Sequence, residues 1–223
     1  MPKQAPSRRL PIEPTVDILD RATDYAYRSL FFIQRATLRH RRYDGEMSDP
    51  MTRVYFERGD SVGVLLYDPD ADAVVLVRQF RYPAYAALTN EERLGGGATR
   101  AWLWEVVAGV QDKGLTPEQV AHKELIEEAG YTLRAAPRHL ATFYLSPGGT
   151  SERLHLFMAE VAPHDRTGAG GGAEGEAEDI EVHVVPAEEA LAMVASGDIH
   201  NATAIIALQH LALHRAGIPI LGT

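Results

Sequence analysis

The chain of 223 residues contains no cysteine. That absence excludes disulfides, thiolate metal sites and cysteine nucleophiles. Basic residues are few: 22 lysines and arginines stand against 31 aspartates and glutamates, a formal charge of −9. Nucleic acid and anionic membranes both require positive patches, so neither is expected as the main partner. A local basic cluster would still serve an anionic small molecule. Long apolar runs are missing too: the stretch 61–77 is interrupted by Asp68, Asp70 and Asp72 and is not a bilayer span. Arg8 and Arg9 are not followed by an apolar run, so no signal peptide is expected and the default location is the cytoplasm. What is present is core material, since 45% of the residues are hydrophobic, enough for one domain or a domain with an arm.

Along the chain, 1–14 is rich in proline and charge and reads as a loose arm, and 17–27 as a short helix. Residues 31–38 and 53–56 read as strands around the polar turn Arg41–Gly45. The clearest strands are 61–67 and 73–80, rich in valine and leucine and joined by Asp68-Pro69-Asp70-Ala71-Asp72. A further strand, 101–107, follows the loop Gly95-Gly96-Gly97. The pattern is helical over 117–129 and returns to strand at 139–145, 152–161 and 180–185, the last after a Gly- and Glu-rich loop at 168–178. Residues 187–195 and 202–213 read as closing helices. Strands that come in pairs, without regular alternation with helices, predict an α+β fold.

The chemistry concentrates around one helix. Thr116 is a suitable N-cap, Pro117 suits the first helical position, Gln119 completes a capping box, and Gly130 is a natural stop. Val120, Ala121, Leu125 and Ala129 mark its inner side. Glu124, Glu127 and Glu128 follow at i, i+3 and i+4, so their carboxylates repel one another on one face, and the helix C-terminus adds to the repulsion. A hard divalent cation would reverse it, since Mg²⁺ favours carboxylate oxygens together with substrate phosphate. Three glutamates alone are better read as a solvated acidic face.

The spacing changes that reading. Gly109, followed by Lys123-Glu124-Leu125-Ile126-Glu127-Glu128-Ala129-Gly130-Tyr131, closely resembles the Nudix signature G-x5-E-x7-R-E-U-x-E-E-x-G-U, where U is a bulky apolar residue. Two positions depart from it: Leu115 stands at the first Glu and Lys123 at the Arg. In the family those side chains mainly brace the loop against the helix. The joint change reads as compensatory, with Leu115 packing in place of an ion pair, although Lys cannot reproduce a bidentate Arg fork. Val77-Arg78-Gln79-Phe80-Arg81, Glu105-Val106-Val107-Ala108-Gly109, Ser146-Pro147-Gly148-Gly149 and Glu178-Asp179-Ile180-Glu181 are similar to the ADP-ribose and sugar-nucleotide branch of Nudix hydrolases, which includes GDP-mannose pyrophosphatases.

The resemblance implies a Nudix fold, a mixed sheet between helices forming an α/β/α sandwich, with a β-rich N-terminal subdomain. It divides the chain into an arm and dimerisation subdomain at 1–58 and a hydrolase domain at 59–223. It implies a homodimer and Mg²⁺-dependent hydrolysis of a nucleoside diphosphate sugar, with Mn²⁺ a possible substitute. Glu124 and Glu128 would be the strongest metal ligands, with the backbone carbonyl of Ala108 a third and Glu127 either a ligand, directly or through water, or a hydrogen-bond acceptor behind the ligands. Glu178 would serve as base, ligand or both, on a loop that the glycines at 170–172 allow to move; Glu174 and Glu176 are weaker candidates. Arg53, Arg81, Gly109 and Glu152 are the candidate substrate contacts, and Phe31 or Phe32 a stacking partner for a base. Arg78, three positions from Arg81, faces elsewhere by strand alternation. The Lys that GDP-mannose relatives often carry around 197–203 is missing, which weakens that preference. Rival readings are a Nudix hydrolase for another nucleoside diphosphate derivative and a catalytically silent nucleotide-sugar sensor. His210 and His214, four apart on a helix, read as surface residues, and Gly95–Gly97 lacks the Lys-Ser/Thr of a P-loop.

Overall fold

A computed structural model describes residues 13, 15–28, 30–111, 114–173 and 178–218. Most of the expected arm, and with it Glu174 and Glu176 of the later loop, lies outside the described residues. The chain divides into two compact units: one up to Arg58 together with Ser146–Glu152, the other Gly59–Leu145 with the chain from Arg153 onward.

The first unit is a three-stranded antiparallel sheet of β1 (Val16–Tyr27), β2 (Phe31–His40) and β3 (Met51–Glu57) in the order β1-β2-β3. Residues 17–27, expected as a helix, therefore form a strand. Asp17, Asp20 and Asp24 mimic helical spacing, but register shifts at Ile18/Asp20 and Thr23/Tyr25 let all three meet arginines of β2. Asp17 lies 2.9 Å from Arg39, and Asp24 and Asp20 lie 3.1 and 3.7 Å from Arg35. The segment 146–152 attaches to β3, with the Phe56 amide donating to the Gly149 carbonyl at 2.8 Å and the Ser151 hydroxyl donating to Glu57 at 2.6 Å.

The second unit comprises β4 (Ser61–Asp68), β5 (Ala73–Phe80), α1 (Tyr82–Ala87), α2 (Asn90–Leu94), β6 (Trp102–Glu105), β7 (Val107–Val110), α3 (Pro117–Glu124), β8 (Arg138–Tyr144), β9 (Arg153–Glu160), β10 (Ile180–Pro186), α4 (Ala187–Ser196) and α5 (Ala202–Arg215). Its mixed sheet has the order β10-β5-β4-β9-β8, with β6 on β5 and β7 on β4. β4 is the central strand; all eight of its residues are buried, and its pairing with β9 is parallel. Because successive residues alternate faces, two cores result. Leu65, Val74 and Leu76 pack with α4 and α5, while Val64, Val75 and Val77 pack with Val120, Ala121 and Leu125 on the other side. The mixed sheet between helices is the α+β architecture of the expected fold.

One expected strand, 101–107, is two. Residues 102–105 pair with β5 and 107–110 with β4. Val106 joins the core beneath α4 and α5, whereas Val107 joins the opposite one, so the chain changes partner at this point. That step brings Glu105 beside β5 and Ala108 and Gly109 beneath α3. The helices α1 and α2 were not expected; α2 is set by a capping box in which the Glu92 amide donates to the Thr89 hydroxyl at 3.2 Å and the Thr89 amide to the Glu92 carboxylate at 2.7 Å.

Candidate active site

The acidic helix begins as the sequence predicts. The Gln119 amide donates to the Thr116 hydroxyl at 3.3 Å, and the Thr116 amide donates to the Gln119 side chain at 2.8 Å. Beyond Glu124 it widens into a π-turn over Leu125–Ala129, which Gly130 ends in the left-handed conformation at φ 73°. Such turns are frequent at functional sites.

Glu128 points inward from this turn and is 2% exposed. Its Oε2 accepts a hydrogen bond from the Ala108 amide at 3.0 Å. Burial pushes its pKa up to about 8; the Ala108 hydrogen bond and Arg81 oppose the shift, while the charges of Glu124 and Glu178 add to it. Four chemistry-bearing groups thus converge on one buried carboxyl. Glu124 lies over Gly109, where a Cβ would overlap its carboxyl group. Gly109, expected as a substrate contact, leaves room for the Glu124 carboxylate. Glu127 is more open and lies 3.6 Å from Lys123, which also stands 3.7 Å from Glu124. Lys123 thus pairs with the acidic face, and Leu115, expected to pack, remains 36% exposed.

The Gly-rich loop does something the sequence did not reveal. Its backbone docks onto the carbonyls at the end of the helix: the Gly171 amide donates to Glu128 at 2.9 Å, the Gly172 amide to Glu127 at 3.1 Å, and the Gly168 amide to Gly130 at 3.1 Å. Gly170 has φ 71°, and a Cβ there would overlap the Glu128 carbonyl. The glycines, expected to confer movement, allow close backbone approach. Glu178 returns over Gly172, and its Oε2 accepts from the Ala173 amide at 3.2 Å.

Arg81 approaches from the end of β5. Its Nη2 and Nε donate to Glu105 Oε2 at 2.6 and 3.0 Å, and Gln79 donates to the same oxygen at 3.1 Å. Burial works against the guanidinium charge, but Glu105 outweighs it and holds the Arg81 pKa above its usual value, with Glu128 and Glu178 contributing. Glu105 opens one of the segments that resemble the family but was given no role of its own from the sequence, although a lone carboxylate in the apolar run Trp102–Val107 was a signal. Arg53 and Glu152 belong to the first unit: Arg53 donates to the Thr52 carbonyl at 3.0 Å, and the buried Glu152 carboxylate lies 3.7 Å from Arg58. Phe31 stacks on Phe56 at 5.5 Å in that unit.

Among the described residues no three His, Asp or Glu side chains form a ready-made metal cage. The donor set still fits a hard cation. Mg²⁺ commonly takes one or two carboxylates and keeps waters and substrate phosphate as its other ligands, and a buried carboxyl with so high a pKa gains most from a cation. No helix among the described residues is long and apolar enough to cross a membrane.

An acidic helix of this signature, set against a glycine turn on a mixed sheet, defines a diphosphate hydrolase of the metal-dependent class. The NUDIX domain profile matches residues 57–205, and the chain belongs to the Nudix family as one of its hydrolases. It is 42% identical over 205 residues to the ADP-ribose pyrophosphatase of Escherichia coli K12, covering 91% of this chain and 90% of that one. The ADP-ribose pyrophosphatase of Haemophilus influenzae is 38% identical over 201 residues, covering 90% and 88%. The GDP-mannose pyrophosphatase of Cronobacter sakazakii is 39% identical over 183 residues, covering 82% and 88%. A crystal structure of an ADP compounds hydrolase superposes with a TM-score of 0.64 at 20% identity, covering 95% of this chain and 98% of that one, and so shares the fold.

Proposed function

We propose that this Nudix hydrolase cleaves the diphosphate of a nucleoside diphosphate sugar, with ADP-ribose as the leading substrate and GDP-mannose the next, releasing a nucleoside monophosphate and a sugar phosphate. The observation that carries the reading is the buried Glu128 carboxyl held by the Ala108 amide, beside Glu124 packed over Gly109, and the named relatives support the substrate class. Glu124 and Glu128 would hold Mg²⁺, or Mn²⁺ in its place, with the Ala108 carbonyl, Glu127 and Glu178 as further donors. A divalent cation bound there neutralises diphosphate charge and lowers the pKa of a bound water.

The residues of the chain do the rest. Arg81 presents a planar fork to phosphate oxygens, and Glu105 fixes its orientation. Glu178 accepts the proton of the attacking water from a loop tied to the same helix end that carries Glu128. Arg53 and Glu152, both in the first unit, are the further candidates for substrate contact. Exposed Val16, Tyr25, Tyr27 and Val54 on that unit support a homodimer that buries them, and the cysteine-free composition suits a cytoplasmic setting.

Purified protein incubated with ADP-ribose or GDP-mannose, with and without Mg²⁺, tests the reading through release of AMP or GMP. Metal-dependent release that Glu128→Gln abolishes is expected. Binding of either substrate with no release under any metal condition would instead establish a silent sensor.

A further inference from the structure

One cleft in the second unit collects groups that the reaction does not use. Arg78 and Gln79 are successive strand residues and point to opposite faces of the sheet, as do Trp104 and Glu105. Gln79 and Glu105 serve Arg81, whereas Arg78 and Trp104 are cross-strand partners on the other face. The Arg78 guanidinium lies 5.3 Å from the Trp104 ring centroid, and its Nε is buried without a hydrogen-bond partner. On β10 the cross-strand partner of Arg78 is Glu181, whose carboxylate pairs with His183 at 3.0 Å. A buried Nε–H left unmet is costly, and an anion would satisfy it.

The cleft around Arg78 has two lobes, of about 550 Å³ and about 350 Å³, which share Arg78, Thr99 and Trp102. Each is in the size range of small-molecule sites. Arg78 lines both lobes, with Glu181 as its cross-strand partner on β10. The smaller lobe sets Arg78, Arg100 and the His200 imidazole against Asp198, whose carboxylate already accepts from the Ser196 hydroxyl at 2.6 Å. The larger lobe presents the carboxylates of Asp179 and Glu181, the latter also 3.0 Å from His183. Between them stands Trp102, which is 44% exposed and leans on Phe80 at 5.0 Å. An occupant that suits all three features is anionic at one end, planar and aromatic, and rich in hydrogen-bond donors at the other.

We propose that this cleft is a second nucleotide site, separate from the hydrolytic centre, that takes a nucleoside monophosphate. The phosphate monoester lies between Arg78 and Arg100, the base stacks on Trp102, and ribose hydroxyls or the exocyclic amine donate to Asp179 and Glu181. The carboxylates of Asp179 and Glu181 favour a nucleotide, whose hydroxyls and amine they can accept from, over a bare phosphate, which they repel.

Trp102 and Trp104 are the chain's two tryptophans, so intrinsic fluorescence reports this cleft. The full-length protein is titrated with AMP in EDTA, so that metal-dependent diphosphate chemistry is off, with adenosine and inorganic phosphate in parallel. A saturable response to AMP is expected, with each half-ligand binding about tenfold or more weakly. Arg78→Gln and, independently, Arg100→Gln weaken AMP binding by about tenfold, the worth of a charge-assisted contact, while Mg²⁺-dependent hydrolysis keeps its wild-type kcat/KM. Arg81→Ala leaves the AMP titration unchanged. No fluorescence response at millimolar AMP overturns the proposal. So does a response that survives both cleft substitutions but is lost in Arg81→Ala, or phosphate binding as tightly as AMP.

Discussion

Gly109 lies directly beneath the Glu124 carboxylate, so close that a methyl group at position 109 would occupy the space of the carboxyl itself. The pair couples a strand residue of β7 to a candidate metal ligand on α3, and it gives the first glycine of the signature a steric reason.

Gly109→Ala should therefore retain the fold and lose activity. Glu124 can swing aside, but a displacement near 1 Å in such a centre costs on the order of 100-fold in rate. Turnover at saturating Mg²⁺ checks this, with the circular dichroism spectrum unchanged; near-wild-type kcat would contradict the steric account.

Glu128 makes the metal-free protein pH-sensitive. Its folded pKa, about 8, lies above that of a free glutamate, so the folded state holds a proton that the unfolded state releases. The stabilisation from this group is complete below the ordinary glutamate pKa and is lost as pH rises towards about 8, at roughly 1.4 kcal/mol per pH unit. In EDTA, the difference in Tm between wild type and Glu128→Gln should grow over that window, with the wild type falling behind. Saturating Mg²⁺ should reverse it, and metal binding at neutral pH should release about one proton, measured by calorimetry in buffers of different ionisation enthalpy.

The docked loop is expected to be intolerant of side chains. Gly170→Ala adds a Cβ against the Glu128 carbonyl at a φ of 71°, which should cost about 1–3 kcal/mol in stability. Since that carbonyl belongs to the residue bearing the buried carboxyl, kcat should fall as well. Chemical denaturation and steady-state kinetics on the same variant separate the two effects.

The Arg81–Glu105 pair predicts a split in kinetic constants. Glu105→Gln keeps the volume but removes the charge that orients the guanidinium, so KM for the diphosphate substrate should rise about tenfold with a smaller change in kcat. Arg81→Lys, which loses the planar fork, should reduce kcat/KM by about 10- to 100-fold. An unchanged KM in Glu105→Gln would show that Arg81 needs no such support.

The parts that could be read from the sequence are those where local rules and tertiary packing agree. The helix from Pro117 carries its own start in Thr116 and Gln119, its inner stripe in Val120, Ala121 and Leu125, and its stop in Gly130, so no distant partner was needed to place it. β4 and β5 were equally legible from apolar composition and an aspartate-rich turn. The failures share one cause, a partner far away in the chain. Asp17, Asp20 and Asp24 take their meaning from Arg35 and Arg39. The change of partner at Val106 depends on which core receives each valine, and Glu105 gains its role from Arg81. The docking of Gly170 to Gly172 was hidden for the same reason, since the carbonyls they approach, those of Glu127 and Glu128, belong to another segment.

The chain's route through its two units bears on its synthesis. Segment 146–152, which binds Phe56 and Glu57, is inserted between β8 and β9 and reaches the ribosome exit long after β3. β4 waits similarly for β9, its parallel partner some ninety residues later. The acidic helix therefore emerges when β4 has β5 and β7 beside it but not yet β9. A nascent chain stalled before residue 146 should hold the second sheet unfinished and the first without its attached segment, and a cut at the Arg58–Gly59 junction would leave that segment on the fragment to which it does not belong.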